Sequence, residues 1–118
     1  MTPASRHGRF ENPTKSAFAF EKYDFDWERQ YMVELDSDPD VDAWTKRHNI
    51  RIAYIDRQGR KREYRPDFLV RGTAGGIELH EVKGGHLIDS PDTKRKFEAA
   101  RRWCAARNMT FVVVTKER

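Results

Sequence analysis

Two short runs carry the residues best suited to chemistry: Pro66-Asp67 within YRPDFLV, and Glu81-Val82-Lys83 within HEVKG. The segment Gly72 to Gly76 separates them and reads as a turn between two strands. With the turn centred on Ala74, Asp67 lies opposite Glu81, their Cβ atoms about 5 Å apart. Strand side chains alternate faces, so Glu81 and Lys83 point the same way as Ile77 and Leu79. Two carboxylates placed across from each other repel, and a fold gains nothing from that. A divalent cation between them reverses the sign of the interaction, and Lys83 adds a positive charge beside them. Each residue also has a purely structural reading. Asp67 can cap a bend after Pro66, and Glu81 and Lys83 can be solvated residues on a one-sided sheet. The combination within one strand pair favours a site.

A further carboxylate comes from the first helix. Glu28 precedes Tyr31, Met32 and Leu35 by three, four and seven residues, so it borders the apolar stripe. Glu34 has a similar claim by spacing, and either can be a rim residue reaching to water. Glu28 is favoured because it lies in the first turn, near where a sheet edge meets the helix.

The elements that must position these residues follow from local pattern. Residues 1–22 mix Pro, Ser, Thr and charge without clear periodicity and read as an arm, partly ordered by Phe18 and Phe20. Residues 23–118 form the domain. Asp26 is an N-cap candidate for a helix to about Asp36, with Trp27, Tyr31 and Leu35 along one face. A second, shorter helix is predicted from Asp38 as cap and Pro39 as first helical residue. The run 50–55 is a strand, 56–59 a turn, 60–71 the return strand and 77–84 a third strand. A helix follows, with Ser90 as cap, Pro91 at its start and Asn108 near its end. The largely apolar 109–115 closes the chain as a strand buried on both faces. The order α-α-β-β-β-α-β implies an α/β fold: an antiparallel meander, then a helical crossover to a parallel strand, giving a mixed sheet flanked by helices.

Length and composition set the outer bounds. The 118 residues suffice for one domain with a modest core. The net charge of +4 permits a polyanionic partner without requiring one. A single cysteine, Cys104, excludes an internal disulfide and a cysteine zinc cluster, and reads as a small core residue. No apolar run has membrane-spanning length and no apolar signal region opens the chain, so an intracellular, soluble, cytoplasmic protein is expected.

The order Pro66-Asp67, then Glu81-Val82-Lys83, resembles the namesake motif of the PD-(D/E)xK nuclease superfamily. The wider frame DFDWERQYMVELDSDPDVDAWTK, YRPDFLV and EVKG is similar to the nuclease domain of type III restriction enzymes and to TnsA-like transposon endonuclease subunits. The tail PDTKRKFEAARRWCAARNMTFVVVT looks more like the latter. The resemblance covers residues 24 to 115 and implies a restriction-endonuclease-like fold and a metal-dependent DNA endonuclease. It implies Asp67 and Glu81 as ligands of Mg²⁺ (with Mn²⁺ able to substitute), the backbone carbonyl of Val82 as an extra ligand, Glu28 as the helix carboxylate and Lys83 as the catalytic lysine. A lysine among carboxylates keeps its proton, which favours positioning and charge stabilisation over general-base work.

DNA contacts are expected from basic residues: Lys94, Lys96 and Arg101 on the last helix, Lys46 and Arg47 after the second, Arg65 before the Pro-Asp pair, and His86 after Gly84-Gly85. The alternative for the last helix is a solvated face with i, i+4 pairs Lys94–Glu98 and Glu98–Arg102. The chain shows no target-recognition segment, helicase motor or transposase partner, so a partner protein is expected to supply target recognition. A homodimer is open. Two other readings stay open: a structure-selective nuclease on the same fold (junction resolvase or RNase), and a non-catalytic nucleic-acid-binding or assembly module.

Overall fold

In a computed structural model, residues 7–84 and 90–116 are described. The elements are β1 (Gly8–Glu11), β2 (Phe20–Tyr23), α1 (Asp26–Ser37), β3 (Val41–Thr45), β4 (Ile52–Ile55), β5 (Lys61–Tyr64), β6 (Phe68–Gly72), β7 (Ile77–Gly84), α2 (Pro91–Ala105) and β8 (Thr110–Lys116). The main sheet runs β3-β6-β7-β8, and two-stranded ribbons are formed by β1-β2 and by β4-β5. β3, β6 and β7 pair antiparallel, while β8 joins β7 in parallel through the α2 crossover. The fold is therefore α/β, with a mixed, largely antiparallel sheet between two helices. Among the described residues no helix is long and apolar enough to cross a membrane.

Two clusters sandwich the sheet. Tyr31, Met32 and Leu35 of α1 pack with Val41, Trp44, Phe68, Val70 and Val82. Phe97, Ala100 and Cys104 of α2 pack with Leu79, Ile52 and Tyr64, flanked by Phe111 and Val113. Alternation along β7 sends Val82 to the first cluster and Leu79 to the second. Glu81 and Lys83 thus fall on the α2 side.

Four sequence-based expectations change. The stretch read as an arm holds a hairpin, with Arg9 paired to Lys22 and Phe10 to Glu21. Phe25, not Asp26, is the N-cap of α1, and no side chain caps it. The second helix is a strand. Asp38 turns the chain instead of capping it: its Oδ1 accepts from the Asp40 N–H at 2.9 Å and its carbonyl from the Val41 N–H at 3.0 Å. Asx-turns and helix caps use the same side chain on the same donors, and the following Val41 and Trp44 pack inward, which decides for a strand. Finally, 60–71 is two strands in different sheets. Pro66 has no N–H for a ladder, so β5 ends at Tyr64 and the chain crosses to begin β6 at Phe68. β3, not β4, is then the neighbour of β6.

The β6–β7 register, with Phe68 opposite His80 and Arg71 opposite Ile77, matches a turn centred on Ala74. Gly72 N–H donates to the Gly76 carbonyl at 2.9 Å, and Gly75 takes φ 95°, where glycine carries no Cβ penalty. The Ser90 cap and the Pro91 start of α2 also hold, with the Ser90 side chain accepting from the Thr93 N–H.

Candidate active site

Asp67 occupies the residue between Pro66 and the first residue of β6, and its placement is over-determined. Pro66 is fully buried, and its carbonyl accepts from His48 Nε2 at 2.8 Å. The Ile50 N–H donates to Nδ1 of the same ring at 3.2 Å, so His48 is neutral with its proton on Nε2. Burial, then the Arg65 charge, hold its pKa down. Arg65 in turn donates to the carbonyls of Lys46 and His48. These contacts pin the Pro-Asp dipeptide beside the end of β3.

From there Asp67 Oδ2 accepts the Val82 backbone N–H at 3.0 Å. Glu81, buried on the adjacent strand, accepts from the Tyr64 hydroxyl at 2.8 Å through Oε1. No described residue donates to the other oxygen of either carboxylate. Burial raises both pKa values, most strongly of all causes. The Val82 N–H pulls Asp67 back and the Glu28 charge pushes it further up. For Glu81 the next cause is Asp67 itself, opposed by the Tyr64 hydrogen bond and by the charges of Lys83 and Lys96. The pair is thus short of positive charge in a partly desolvated place. Burial and the Glu81 charge raise the Tyr64 hydroxyl, which stays a proton donor.

Glu28 is buried in the first turn of α1, whereas Glu34 is exposed. Its Oε1 accepts from the Asp24 N–H at 2.8 Å and from Lys46 Nζ at 3.1 Å. Part of its role is therefore structural, since it reaches back to the residue before the N-cap. Its charge still acts on Asp67, so residues 28 and 67 do come together.

Two residues with roles in the site escape the sequence reading. Tyr64 was read only as part of a strand. Lys96 was grouped with the phosphate-binding face of α2, but it lies half-buried with Nζ 5.2 Å from the Tyr64 ring centroid. Burial and the nearby Lys83 lower its pKa, while Glu81 and Asp67 oppose that shift. Its spacing to Thr93, Phe97 and Ala100 carries the same signal that marked Glu28: a charged residue at the border of a buried helical face.

The remaining predicted contacts are scattered. Lys46 is largely buried between Glu28 and Asp24, and Arg47 lies over Phe18 and Phe20. Lys94 and Arg101 are exposed on α2, where Glu98 pairs with Arg102 at 3.4 Å. His86 lies outside the described residues.

Among the described residues no group of three or more His, Cys, Asp or Glu side chains forms a ready-made metal cage. What exists is a pair of carboxylates, each with one oxygen that no described residue bonds and both with raised pKa values, flanked by two lysines. That donor set fits a hard, oxygen-seeking cation that keeps several of its waters.

The mixed sheet and the helical crossover to a parallel strand give a restriction-endonuclease-like fold. Residues 38–116 match the model of the TnsA-like endonuclease N-terminal family, most of the chain, and the chain belongs to that family. No curated protein matches it. The matched stretch contains Asp67, Glu81 and Lys83. Glu28 and the β1–β2 hairpin precede it.

Proposed function

We propose that this chain is a metal-dependent endonuclease that hydrolyses phosphodiester bonds in DNA. The observation that carries the reading is the opposition of Asp67 and Glu81 across β6–β7, with Lys83 one step along the same face, in a TnsA-like endonuclease domain. Asp67 and Glu81 would hold Mg²⁺, with the Val82 carbonyl and Glu28 as further oxygen donors. When bound, such an ion lowers the pKa of water and offsets charge on phosphoryl oxygens.

The chain's own residues have separable tasks. The Val82 N–H fixes one oxygen of Asp67 and the Tyr64 hydroxyl one oxygen of Glu81, so each carboxylate keeps its other oxygen for the ion. Lys83 places positive charge beside the scissile phosphate and orients the attacking water. Lys96 supports Glu81 from α2. Lys94 and Arg101 contact the DNA backbone, and a partner protein supplies the choice of target.

Supercoiled plasmid incubated with the protein tests this. Nicked or linear product should form with Mg²⁺ or Mn²⁺, disappear with EDTA, and be lost in Asp67→Asn and Glu81→Gln. Equal cleavage by wild type and Asp67→Asn would refute the assignment.

A further inference from the structure

The β1–β2 hairpin carries a charge pattern that its own folding does not need. One face is inward: Glu21 is fully buried and Phe10 stacks on Trp44 at 6.0 Å between centroids. The other face holds Arg9, Glu11, Phe20 and Lys22. In the ladder Arg9 sits directly opposite Lys22, and like charges at opposed positions destabilise an antiparallel pair. A third cation arrives from the residues after β3. The Arg47 guanidinium lies 4.6 Å from the Phe18 ring and 4.7 Å from Phe20, and the Arg9 guanidinium lies 4.4 Å from Phe20. The result is a ladder, Arg9–Phe20–Arg47–Phe18.

Among the described residues carboxylates do little to neutralise it. Among the described residues Arg9 has only a loose acidic partner in Glu11, at 3.8 Å between exposed groups. Neither Lys22 nor Arg47 has an acidic partner among the described residues. Arg47 Nη2 donates to the Phe20 carbonyl at 3.0 Å, which fixes the plane of the group and leaves further N–H donors unused. Two shallow depressions meet at Lys22 and at Asp24, whose carboxylate pairs with Lys46 rather than with Arg9, Lys22 or Arg47. One, of about 660 Å³, is lined by Arg9, Phe20 and Tyr23; the other, of about 270 Å³, by Lys46, Arg47 and Arg65. Lys46 is bonded to Glu28, so the second depression borders the candidate active site.

We propose that this face of the hairpin docks the DNA backbone, with Arg9, Lys22 and Arg47 on phosphates and Phe18 and Phe20 holding the two guanidiniums flat. Phosphate is the chemistry that fits: a stacked guanidinium presents parallel N–H groups to two oxygens, and a polyanion relieves the Arg9–Lys22 repulsion. The inference rests on the reading of the chain as a DNA nuclease and extends it to a second contact surface, built mostly from the hairpin that precedes the family-matched stretch.

Fluorescence anisotropy with a labelled duplex, without divalent metal and over a series of salt concentrations, tests it. Replacing Arg9, Lys22 and Arg47 together with Ala should weaken binding about tenfold or more and reduce the log–log salt slope by about two to three. Because Arg47→Ala removes packing, Lys22→Glu alone is the second variant. Its side chain is exposed, and a glutamate there faces Arg9 with opposite charge, so the melting temperature should not fall while binding weakens. Wild-type affinity and slope in Lys22→Glu would overturn the proposal and assign the surface to another partner. Failure of the nuclease reading is read separately: wild type would bind duplex, lose affinity in Lys22→Glu, and yet leave plasmid uncut with Mg²⁺.

Discussion

Lys83 and Glu28 sit in different surroundings, and their variants should behave differently. Lys83 is half-buried, its charge acts on both carboxylates, and no described carboxylate lies within ion-pair distance of it. Lys83→Ala should therefore cut cleavage about 100-fold or more, the scale for losing one preorganised charge at a reacting centre. Calorimetry should find Mn²⁺ bound nearly as before. Glu28 is tied into the fold by Asp24 and Lys46. Glu28→Gln keeps the shape but turns a charged acceptor into a neutral one, so it should cost about 1–2 kcal/mol in urea unfolding. It should also raise the Mg²⁺ concentration needed for cleavage. A variant with wild-type stability and metal requirement would remove Glu28 from the site. The sequence exposed Asp67, Glu81 and Lys83 because turn chemistry and strand period alone set their spacing. Tyr64 and the true place of Lys96 were hidden because they depend on how β5 and α2 meet the sheet, which local pattern does not contain.

At the level of elements, the parts with one dominant local signal were legible: α1, the β6–β7 hairpin with its register, the Ser90–Pro91 start of α2 and β8 as a strand, which is a half-buried edge strand instead of one buried on both faces. The failures share a cause. Asp38-Pro39 suits both a helix start and a turn, and only the tertiary burial of Val41 and Trp44 selects β3. The long strand 60–71 hid a change of sheet at Pro66. The hairpin of 8–23 had no readable alternation because its inner face includes Glu21, a carboxylate with no exposed surface. Its oxygens accept from the hydroxyls of Ser16 and Thr45 and from the Lys46 N–H at 2.5, 2.7 and 3.0 Å. One buried side chain thus clamps the hairpin to the end of β3. Glu21→Ala strands those donors and should cost about 2–4 kcal/mol in urea unfolding. It should also loosen the hairpin first in hydrogen exchange. A loss below about 0.5 kcal/mol would mean that the ladder of Arg9, Phe20, Arg47 and Phe18 holds the hairpin without it.

For the whole molecule, the proposed metal site has an energetic corollary: the paired buried carboxylates cost the domain stability, and a cation between them would remove that cost. The pH dependence follows with a definite sign. Asp67 and Glu81 have folded pKa values raised above their unfolded ones, so between about pH 4 and about pH 7 the folded chain binds more protons. Metal-free stability contributed by the pair is therefore present at low pH and falls as pH rises through that window. The most direct test is thermal unfolding of wild type and Asp67→Asn at neutral pH, each with and without Mg²⁺. Asn keeps the acceptor for the Val82 N–H while removing one charge of the pair. The metal-free variant should melt several degrees above metal-free wild type, since about 1 kcal/mol moves a domain of this size by about 4 °C. Mg²⁺ should raise the wild-type melting temperature and leave the variant unmoved. A variant that melts below wild type without metal, or that gains as much from Mg²⁺ as wild type does, would contradict the claim.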